Sequence, residues 1–373
     1  MIYLDHHAAS PVDAEVLRAM EEASACGWAN PSSVHAAGRA SRAILERARD
    51  RVAGAIGASP SEVVFTSGGT EAVNLGVLGL GRRGRGSGRV VTTAIEHPAL
   101  LEAVSRLERG GAEVIRLEVR DGLAPREEEL ERALAGSELA CLGWVNHETG
   151  TISPLATIAE RCRAHGVALV VDGTAALGKI EVDVKRLGAS ALAIASSKIG
   201  GPQGAGALWI SREAALDARM LGGGQERGRR AGTPDPVRLA GFGAACARAG
   251  ARLAAMPEVA RRRDRLEAAL VSRGAVVNGA AGRRVATVTN ASVPGWRGTS
   301  LVAALDLEGL CASSGAACSS GVDEPSRVIA AMVPEAPWRA QSALRLSLGP
   351  STTDEEVDGA VAILERVLGR KQA

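Results

Sequence analysis

The chain has 373 residues, of which 46% are hydrophobic and 23% charged, a composition typical of a globular protein with room for two domains. Its formal net charge of +2 gives no indication of a nucleic-acid or membrane partner. The sequence contains no run of apolar residues long enough for a membrane span and no secretion signal at its start, so we expect neither. Its six cysteines and six histidines lack disulfide-framework and zinc spacing, which fits a reducing cytoplasm and predicts no metal site.

Helix and strand patterns alternate from about residue 37 to residue 250. Four apolar residues on one helical face, Leu45, Ala48, Val52 and Ile56, predict a helix over 37–57. Another helix is predicted over 155–166, and short apolar runs predict strands at 62–65, 89–94, 113–119, 139–146, 167–173, 191–196 and 206–210. Because these runs do not alternate with polar residues, we expect a mostly parallel α/β sheet covered by helices on both faces.

The last third of the chain has a different pattern. It predicts a charged connecting helix over 257–274, a strand over 284–293, a helix over 299–309 and a final helix that follows a capping box at 351–357. We therefore expect a large domain of residues 13–255 and a smaller α+β domain formed by residues 1–12 and 256–373. The basic run RRGRGSGR at 82–89 is interpreted as an exposed loop, so no direct nucleic-acid contact is expected.

The Gly-rich turn TSGGTEA at 66–72 connects a predicted strand to a helix that begins near Thr70. Such a turn presents backbone N–H groups and a helix N-terminus to an anion. Taken alone, the pattern is equally typical of a simple tight turn.

Two charged residues end neighbouring apolar strands in the prediction. Asp172 ends the strand VALVVD, where a carboxylate is costly unless a cation meets it. Lys198 follows the strand ALAIAS, where a lysine is ordinarily solvated. A lysine that condenses with an aldehyde cofactor and an aspartate that holds a pyridinium nitrogen form a pyridoxal phosphate (PLP) site. The spacing is compatible with that site, while a solvated lysine at a strand end is the commoner arrangement.

The segment CASSGAACSSG at 311–321 places Cys318 among small residues. It buries little apolar surface and predicts no regular structure. Either the thiol is there by chance, or a loop carries a sulfur atom between two places.

The order of ten segments resembles that in the cysteine desulfurases, PLP-dependent enzymes of fold type I in the class V aminotransferase group. The resemblance runs from residue 3 to beyond residue 350. Around Cys318 and the following EPSRVI at 324–329, it is similar to the housekeeping iron–sulfur-cluster branch. It implies a seven-stranded sheet in the large domain. The segments are 3–12, 30–39, 65–76, 96–102, 145–154, 171–179, 196–210, 222–233, 313–321 and 344–349.

The resemblance implies a cofactor role for five residues. Lys198 would bind the PLP aldehyde and later move the substrate Cα proton, and Asp172 would pair with the ring nitrogen. His97 would stack on the ring and help to deprotonate the substrate thiol. Thr70, with Gly69 beside it, would bind the phosphate at the helix N-terminus.

The resemblance also implies how substrate and partners are bound. Arg345 would hold the substrate carboxylate through its planar fork, and Asn30 would lie on the substrate side. Thr233 would reach the phosphate of a neighbouring subunit, which implies a homodimer. Cys318 would attack the sulfur of PLP-bound L-cysteine, release alanine and pass its persulfide to an acceptor protein. Cys311 is interpreted as a packed cysteine at a strand end.

Four positions depart from the family pattern. His147 stands where the family has asparagine, and Ala175 replaces a glutamine that normally donates to the ring oxygen. Ala195 and Ser197 replace a serine and a histidine that normally contact the phosphate. Ser197 could replace one of these contacts, and His147 could donate to the ring oxygen or to the substrate carboxylate.

Several alternatives stay open. A metal site at His6 and His7 is disfavoured against a contact on the substrate side, and His35 and His165 are interpreted as surface or structural residues. The altered pocket is compatible with a working desulfurase or with a specialised relative. Other candidate functions are a PLP lyase or transaminase acting on another amino acid, such as selenocysteine, and a non-catalytic homologue that binds desulfurase partners.

Overall fold

The structure, a computed structural model, describes residues 1–81, 88–315 and 324–369. Its strands are β1 (Ile2–Tyr3), β2 (Val63–Thr66), β3 (Arg89–Thr93), β4 (Glu113–Leu117), β5 (Leu139–Gly143), β6 (Ala168–Asp172), β7 (Ala191–Ala195), β8 (Gly206–Ile210), β9 (Val276–Val277), β10 (Val288–Ser292), β11 (Leu310–Cys311) and β12 (Ala343–Ser347).

Helices connect most of these strands. They are α1 (Ala14–Ser24), α2 (Ala36–Ala55), α3 (Gly69–Leu80), α4 (Pro98–Glu108), α5 (Glu127–Leu134), α6 (Leu155–Ala164), α7 (Val184–Leu187), α8 (Pro236–Ala247), α9 (Ala249–Ala254), α10 (Met256–Val271), α11 (Gly298–Leu307), α12 (Arg327–Met332), α13 (Pro337–Gln341) and α14 (Asp354–Leu368). Short 3₁₀ turns lie at Pro60–Glu62, Ser196–Lys198 and Gln225–Gly228.

Seven strands form the main sheet, in the order β2-β8-β7-β6-β5-β3-β4. β8 is antiparallel to β2 and β7, and the other neighbours are parallel. The mostly parallel, seven-stranded sheet that we predicted is therefore confirmed. Since parallel strands share one direction, their carboxyl ends meet at one edge of the sheet, where ligands bind in folds of this kind.

Both faces of the main sheet are covered by helices. On β6, Leu169 and Val171 pack into an apolar cluster with α2, α6 and α8, whereas Val170 packs into a second cluster with α3 and α4. A strand that is buried on both faces carries apolar side chains on both faces. This explains why the strands read as apolar throughout in the sequence.

A smaller sheet forms near the C-terminus. It has the order β12-β10-β9 and is antiparallel, while β1 pairs in parallel with β11. Helices α10, α11 and α14 pack around a separate apolar cluster that also contains the N-terminal Leu4. The predicted capping box is confirmed at α14: Thr353 Oγ1 accepts from Glu356 N–H at 3.2 Å, and Glu356 Oε2 accepts from Thr353 N–H at 2.8 Å. Within the described residues, every helix is too short or too polar to cross a membrane.

Candidate active site

The carboxyl ends of β6 and β7 bring the two predicted charged residues together. The two strands are parallel neighbours, Asp172 is the last residue of β6, and Lys198 ends the 3₁₀ turn that follows β7. Asp172 Oδ1 accepts hydrogen bonds from Thr174 N–H at 3.0 Å and from Thr174 Oγ1 at 2.7 Å. The structure describes no hydrogen bond to Oδ2, so this oxygen can meet a further cationic donor.

The N-terminal segment holds the amine of Lys198. Its Nζ donates to the carbonyls of His7 at 2.7 Å and of Ala8 at 2.8 Å. The segment itself is fixed along the lysine turn, because Ser10 N–H donates to the Ser197 carbonyl at 2.8 Å. Backbone carbonyls orient an amine without neutralising its charge, so Lys198 remains available for a change of bonding partner.

Two histidines face each other beside these residues. The rings of His97 and His147 meet edge to face with 5.0 Å between their centroids. His97 begins α4, and its Nδ1 accepts from Ala99 N–H at 3.1 Å. Burial lowers the pKa of His97; the nearby Asp172 raises it and Lys198 lowers it further. Burial likewise lowers the pKa of His147, assisted by His97, Arg345 and Lys198. Both rings are therefore neutral at physiological pH.

Arg345 lies at the centre of β12 and connects three parts of the chain. Its guanidinium donates to Asp5 Oδ1 at 2.7 Å and to the His147 carbonyl at 2.9 Å. Its backbone pairs with Ser313, which precedes the Cys318 segment. The Nε atom is buried and has no hydrogen-bond partner in the described structure, so the fork retains a donor for an anion.

Two carboxyls of the site have a pKa raised to about 7 by burial. Glu96 accepts from Thr93 Oγ1 and Gly143 N–H, each at 2.7 Å, and the nearby Asp172 raises its pKa further. Glu148 accepts from Ser326 Oγ at 2.5 Å, and that bond together with Arg345 opposes the effect of burial.

A second lysine lies close by. Lys179 Nζ donates to the Ala175 carbonyl at 3.3 Å, and burial lowers its pKa to about 7, with Lys198 as the next contribution. Sequence reasoning assigned no role to Asp5, Glu96, Glu148 or Lys179. All four lie inside the segments that carry the resemblance, and that position is the signal that could have identified them.

The turn between β2 and α3 has the form of an anion site. The first N–H groups of an α-helix have no intrahelical partners, and Gly68, the N-cap of α3, has no side chain to cap them. A Cβ on Gly69 would lie 2.6 Å from Thr174 Cγ2 and 3.3 Å from the Cβ of Ala195. The turn therefore lies against the chain just beyond Asp172. The spare oxygen of Asp172, the amine of Lys198 and these free N–H groups together suit a phosphorylated pyridine aldehyde.

The departures from the family pattern lie in this same pocket. Ala175 and Ala195 are buried and supply only methyl groups. Ser196 Oγ is buried without a hydrogen-bond partner in the described structure. Ser197 is half-buried, and the structure describes no hydrogen bond to its side chain. The pocket therefore retains the charged residues that would hold a cofactor, and it has fewer neutral hydrogen-bond donors than the family pattern.

Other predicted residues are exposed or lie outside the described part of the chain. Asn30 is exposed, and its Oδ1 accepts from Ser32 N–H at 2.9 Å. Thr233 and Thr70 are exposed. Cys318 lies outside the described residues. The structure thus brings Lys198, Asp172, His97, His147, Arg345 and Gly69 together and describes no hydrogen bond between these residues and Asn30 or Thr233.

The other histidines have structural partners. His7 Nε2 lies 3.1 Å from Thr287 Oγ1, and His6 packs near Tyr3. His35 caps α2, and His165 contacts Glu131 at 2.8 Å. In the described part of the chain, no three histidine, cysteine or carboxylate side chains are grouped so that they could hold a metal ion.

The fold and the residues at its sheet edge define a class of protein, the PLP-dependent enzymes of fold type I. A family model described as Aminotransferase class-V matches residues 2–359. The chain is 35% identical over 378 residues to the cysteine desulfurase of Trichormus azollae, covering 100% of this chain and 94% of that protein. It is 36% identical over 374 residues to cysteine desulfurase IscS 1 of Archaeoglobus fulgidus, covering 99% and 97%.

A solved structure titled NifS-like protein matches with a TM-score of 0.91 at 29% identity, covering 99% of both chains. The chain therefore belongs to the class-V aminotransferase family and, within it, to the cysteine desulfurases, which depend on PLP.

Proposed function

We propose that this chain converts L-cysteine to L-alanine and carries the released sulfur as a persulfide on Cys318. The single observation that carries the proposal is the placement of Asp172 and Lys198 at the tips of neighbouring parallel strands. His97 lies within electrostatic range of both residues. A cationic ring nitrogen and an aldehyde carbon can be held at these two points at once.

The residues that would hold PLP follow from this geometry. Asp172 Oδ2 would accept from the ring nitrogen, Lys198 would bind the aldehyde carbon, and the N–H groups of Gly69 and Thr70 would receive the phosphate. Ser197 and His147 would supply neutral donors around the ring and phosphate. When bound, PLP withdraws electrons from the bonds around the substrate Cα.

The protein's own groups would bind the substrate and move its protons. Arg345 would orient the carboxylate of L-cysteine, with Asn30 and His147 on the substrate side. Lys198 would move the Cα proton. Because its Nδ1 accepts from Ala99 N–H, neutral His97 would carry its proton on Nε2 and donate a hydrogen bond from it to the substrate sulfur, which favours the thiolate. The neutral state of His97 keeps the ring able to take part at physiological pH.

The sulfur step balances without an external oxidant. The thiolate of Cys318 would form a sulfur–sulfur bond with the substrate sulfur. The carbon–sulfur bond then breaks, its electron pair stays on carbon, and a proton completes alanine. One cysteine and one protein thiol thus give one alanine and one persulfide.

A visible spectrum with a matched cysteine pair tests the proposal. Purified protein should show the band of lysine-bound PLP, and L-cysteine should change that band and release alanine. With a thiol reductant added to release the persulfide sulfur as sulfide, Cys318→Ala should keep the band and lose sulfide release, whereas Cys26→Ala, at an exposed free thiol, should retain activity.

The other outcomes identify the alternatives. Protein that cannot be loaded with PLP would favour a non-catalytic homologue. Protein that binds PLP but forms no alanine from cysteine would favour a lyase or transaminase acting on another amino acid. Sulfide release by Cys318→Ala at the wild-type rate would contradict the persulfide step.

We also propose that the protein is a homodimer in which Thr233 reaches the partner's phosphate. Support comes from exposed apolar side chains near Thr233 and Asn30, namely Met220, Leu221, Trp28 and Val34. An acceptor protein, either a cluster scaffold or a thiolation protein, would take the sulfur. The described cysteines Cys26, Cys141, Cys162, Cys246 and Cys311 are free thiols, which supports our proposal of a reducing cytoplasmic location.

The domain division is likewise proposed at residues 12/13 and 255/256. Its support is the separation of the apolar clusters: the main sheet has its own two, and Leu4 packs with α10 and β12 in another.

A further inference from the structure

The guanidinium of Arg345 is held by two acceptors and keeps one donor without a partner. Its Nη2 donates to Asp5 Oδ1 at 2.7 Å, and its Nη1 donates to the His147 carbonyl at 2.9 Å. Nε is buried and has no hydrogen-bond partner in the described structure. The side chain of Arg345 is 4% exposed and that of Asp5 18%. Because a guanidinium is a rigid planar fork, fixing two of its corners sets the direction in which the remaining donors point.

Asp5 is fixed to the same strand that carries Arg345. It bridges in parallel to Ser347, which lies two residues after Arg345 on β12. Ser347 N–H donates to the Leu4 carbonyl at 2.7 Å, and His6 N–H donates to the Ser347 carbonyl at 3.2 Å. The backbone is therefore bonded on both sides of Asp5, so its carboxylate can hold the guanidinium in one orientation.

The second acceptor, the His147 carbonyl, belongs to a turn that the small sheet also holds. Asn290 pairs with Arg345 across β10 and β12, and its Nδ2 donates to the Glu148 carbonyl at 3.2 Å. Within the turn, Glu148 N–H donates to Asn146 Oδ1 at 3.0 Å. Both supports of the guanidinium thus stand on backbone that is fixed by its own hydrogen bonds.

The N-terminal segment holds Lys198 through a separate set of contacts. The carbonyls of His7 and Ala8 accept from Lys198 Nζ at 2.7 and 2.8 Å. His7 is itself fixed, because its N–H donates to Ser347 Oγ at 2.9 Å. These bonds do not use the side chain of Asp5. The Asp5 carboxylate can therefore be replaced while Lys198 keeps its described partners.

We propose that Asp5 is a positioning residue for the substrate carboxylate, because it holds one arm of Arg345 so that the remaining donors of the guanidinium face the cofactor pocket. The inference rests on the proposed function, since it presumes that Arg345 receives the carboxylate of L-cysteine. Asp5 acts through Arg345 and makes no contact of its own with the substrate, whose carboxylate it would repel.

Two effects of Asp5 act in opposite directions, so the sign of the measured change is decisive. Asp5 offsets part of the charge of Arg345, and its removal would by this effect strengthen the attraction for an anion. Its removal also frees the guanidinium to turn, and Glu148 lies within electrostatic range of Arg345 as another partner. We expect the loss of orientation to dominate, because a planar fork binds a carboxylate well only when its donors are aimed at the oxygens.

The binding of L-alanine and of ethylamine to the PLP-loaded protein tests the inference, because these two amines differ only by the carboxylate. The change of the visible band gives a dissociation constant for each. Asp5→Ala should weaken L-alanine binding roughly tenfold, the effect of losing one hydrogen bond between charged groups, and leave ethylamine binding unchanged. KM for L-cysteine should rise by a similar factor, with a smaller change in kcat. Asp5→Asn keeps an acceptor for Arg345 and should restore most of the affinity for L-alanine.

A matched ion pair and a double variant separate this role from a structural one. Asp13 also lies near the N-terminus and accepts from Arg252 at 2.7 Å, with side chains 25% and 11% exposed. Asp13→Ala should lower the melting temperature as Asp5→Ala does, but it should leave the affinities for both ligands unchanged. Asp5→Ala/Arg345→Ala should bind L-alanine no more weakly than Arg345→Ala, because Asp5 acts only through Arg345.

The outcomes distinguish this inference from the proposed function. If the wild type forms alanine from cysteine while Asp5→Ala binds L-alanine as tightly as the wild type or more tightly, the inference is wrong and the function stands. An equal loss of ethylamine binding would likewise overturn the inference. If the wild type forms no alanine from cysteine, the proposed function fails and the inference fails with it. Loss of the PLP band in Asp5→Asn would show that Asp5 builds the cofactor pocket itself, which also overturns the inference.

Discussion

Ala195 lies against the proposed phosphate turn. Its methyl group points at Gly69, since a Cβ on that glycine would lie 3.3 Å away. A hydroxyl at this point could donate to the phosphate. Ala195→Ser should therefore tighten PLP binding by a factor of about five, the effect of one hydrogen bond of about 1 kcal/mol. Titration of the apoprotein with PLP, followed by visible absorbance, measures the change.

Ala193 offers the matched control for this substitution. It lies two residues earlier on β7, so its side chain leaves the sheet on the same face, but it packs in the apolar cluster under α3. Ala193→Ser should lower the melting temperature without tightening PLP binding. Equal PLP affinity in the wild type and both variants would show that the phosphate does not lie beside Ala195.

Glu96 makes stability depend on pH in a direction that its pKa defines. Burial raises the pKa from 4.5 to about 7, so the native state binds this proton more tightly than the unfolded state does. The free energy of unfolding therefore falls as pH rises from about 4.5 to about 7, by up to about 3 kcal/mol from this group. Glu96→Gln cannot ionise, and it should gain stability relative to the wild type between pH 5 and pH 8. Urea unfolding at pH 5 and pH 8 measures the free energy of unfolding of both proteins. A difference between the two proteins that is the same at both pH values would contradict the prediction.

At the scale of elements, the 3₁₀ turn at Gln225–Gly228 depends on one buried ion pair. Glu226 accepts from Arg49 at 2.7 and 2.8 Å and from Phe65 N–H at 2.9 Å, and both charged side chains are 3% exposed. Glu226 and Arg227 have positive φ, a conformation that tertiary contacts must maintain. Glu226→Ala would leave the buried guanidinium of Arg49 with a single carboxylate partner, Glu46 at 3.2 Å, whose side chain is 48% exposed. It should lower the free energy of unfolding by about 3 kcal/mol, the lower end for a broken buried ion pair.

An exposed ion pair provides the comparison for that prediction. Glu181 and Arg186 form a bridge at 3.1 Å with side chains 75% and 73% exposed. Glu181→Ala should therefore change the free energy of unfolding by less than about 1 kcal/mol. Thermal or urea unfolding of both variants decides the matter: if Glu226→Ala costs no more than Glu181→Ala, this ion pair does not hold the turn.

Apolar patterns predicted the elements that build the main sheet, because each buried strand is a run of aliphatic residues. They missed α4, which begins at His97-Pro98, and α8, whose glycines and alanines give a weak helical pattern. They also missed β12, although Leu344, Arg345, Leu346 and Ser347 alternate between apolar and polar residues. The amphipathic helices α1 and α5 were missed as well, so a local signal was present in part of what was missed.

At the scale of the whole molecule, the site combines distant parts of the chain. Asp5 and Arg345 bond across 340 residues, and Ser326 and Glu148 across 178. The strand-end pattern and the ordered segments predicted Asp172, Lys198, His97 and Arg345 as site residues, because each belongs to a recognisable local pattern. The links through Asp5 and Glu148 could not be predicted in this way, since no local pattern specifies which distant segment meets a buried carboxyl.

The proposed homodimer predicts different effects of arginine substitutions at two similarly exposed leucines, Leu221 and Leu307. Leu221 is 83% exposed and follows Met220, whose carbonyl accepts from Ala231 N–H, so this apolar pair adjoins Thr233. Leu221→Arg would place a charge in the interface and should yield monomers. Without the partner's Thr233 at the phosphate, PLP should bind roughly tenfold more weakly. Leu307, 89% exposed at the end of α11, lies outside the proposed interface, and Leu307→Arg should remain dimeric with PLP bound. Light scattering and visible absorbance measure both effects. A monomeric wild type would contradict the dimer, and a dimeric Leu221→Arg variant would show that the subunits meet elsewhere.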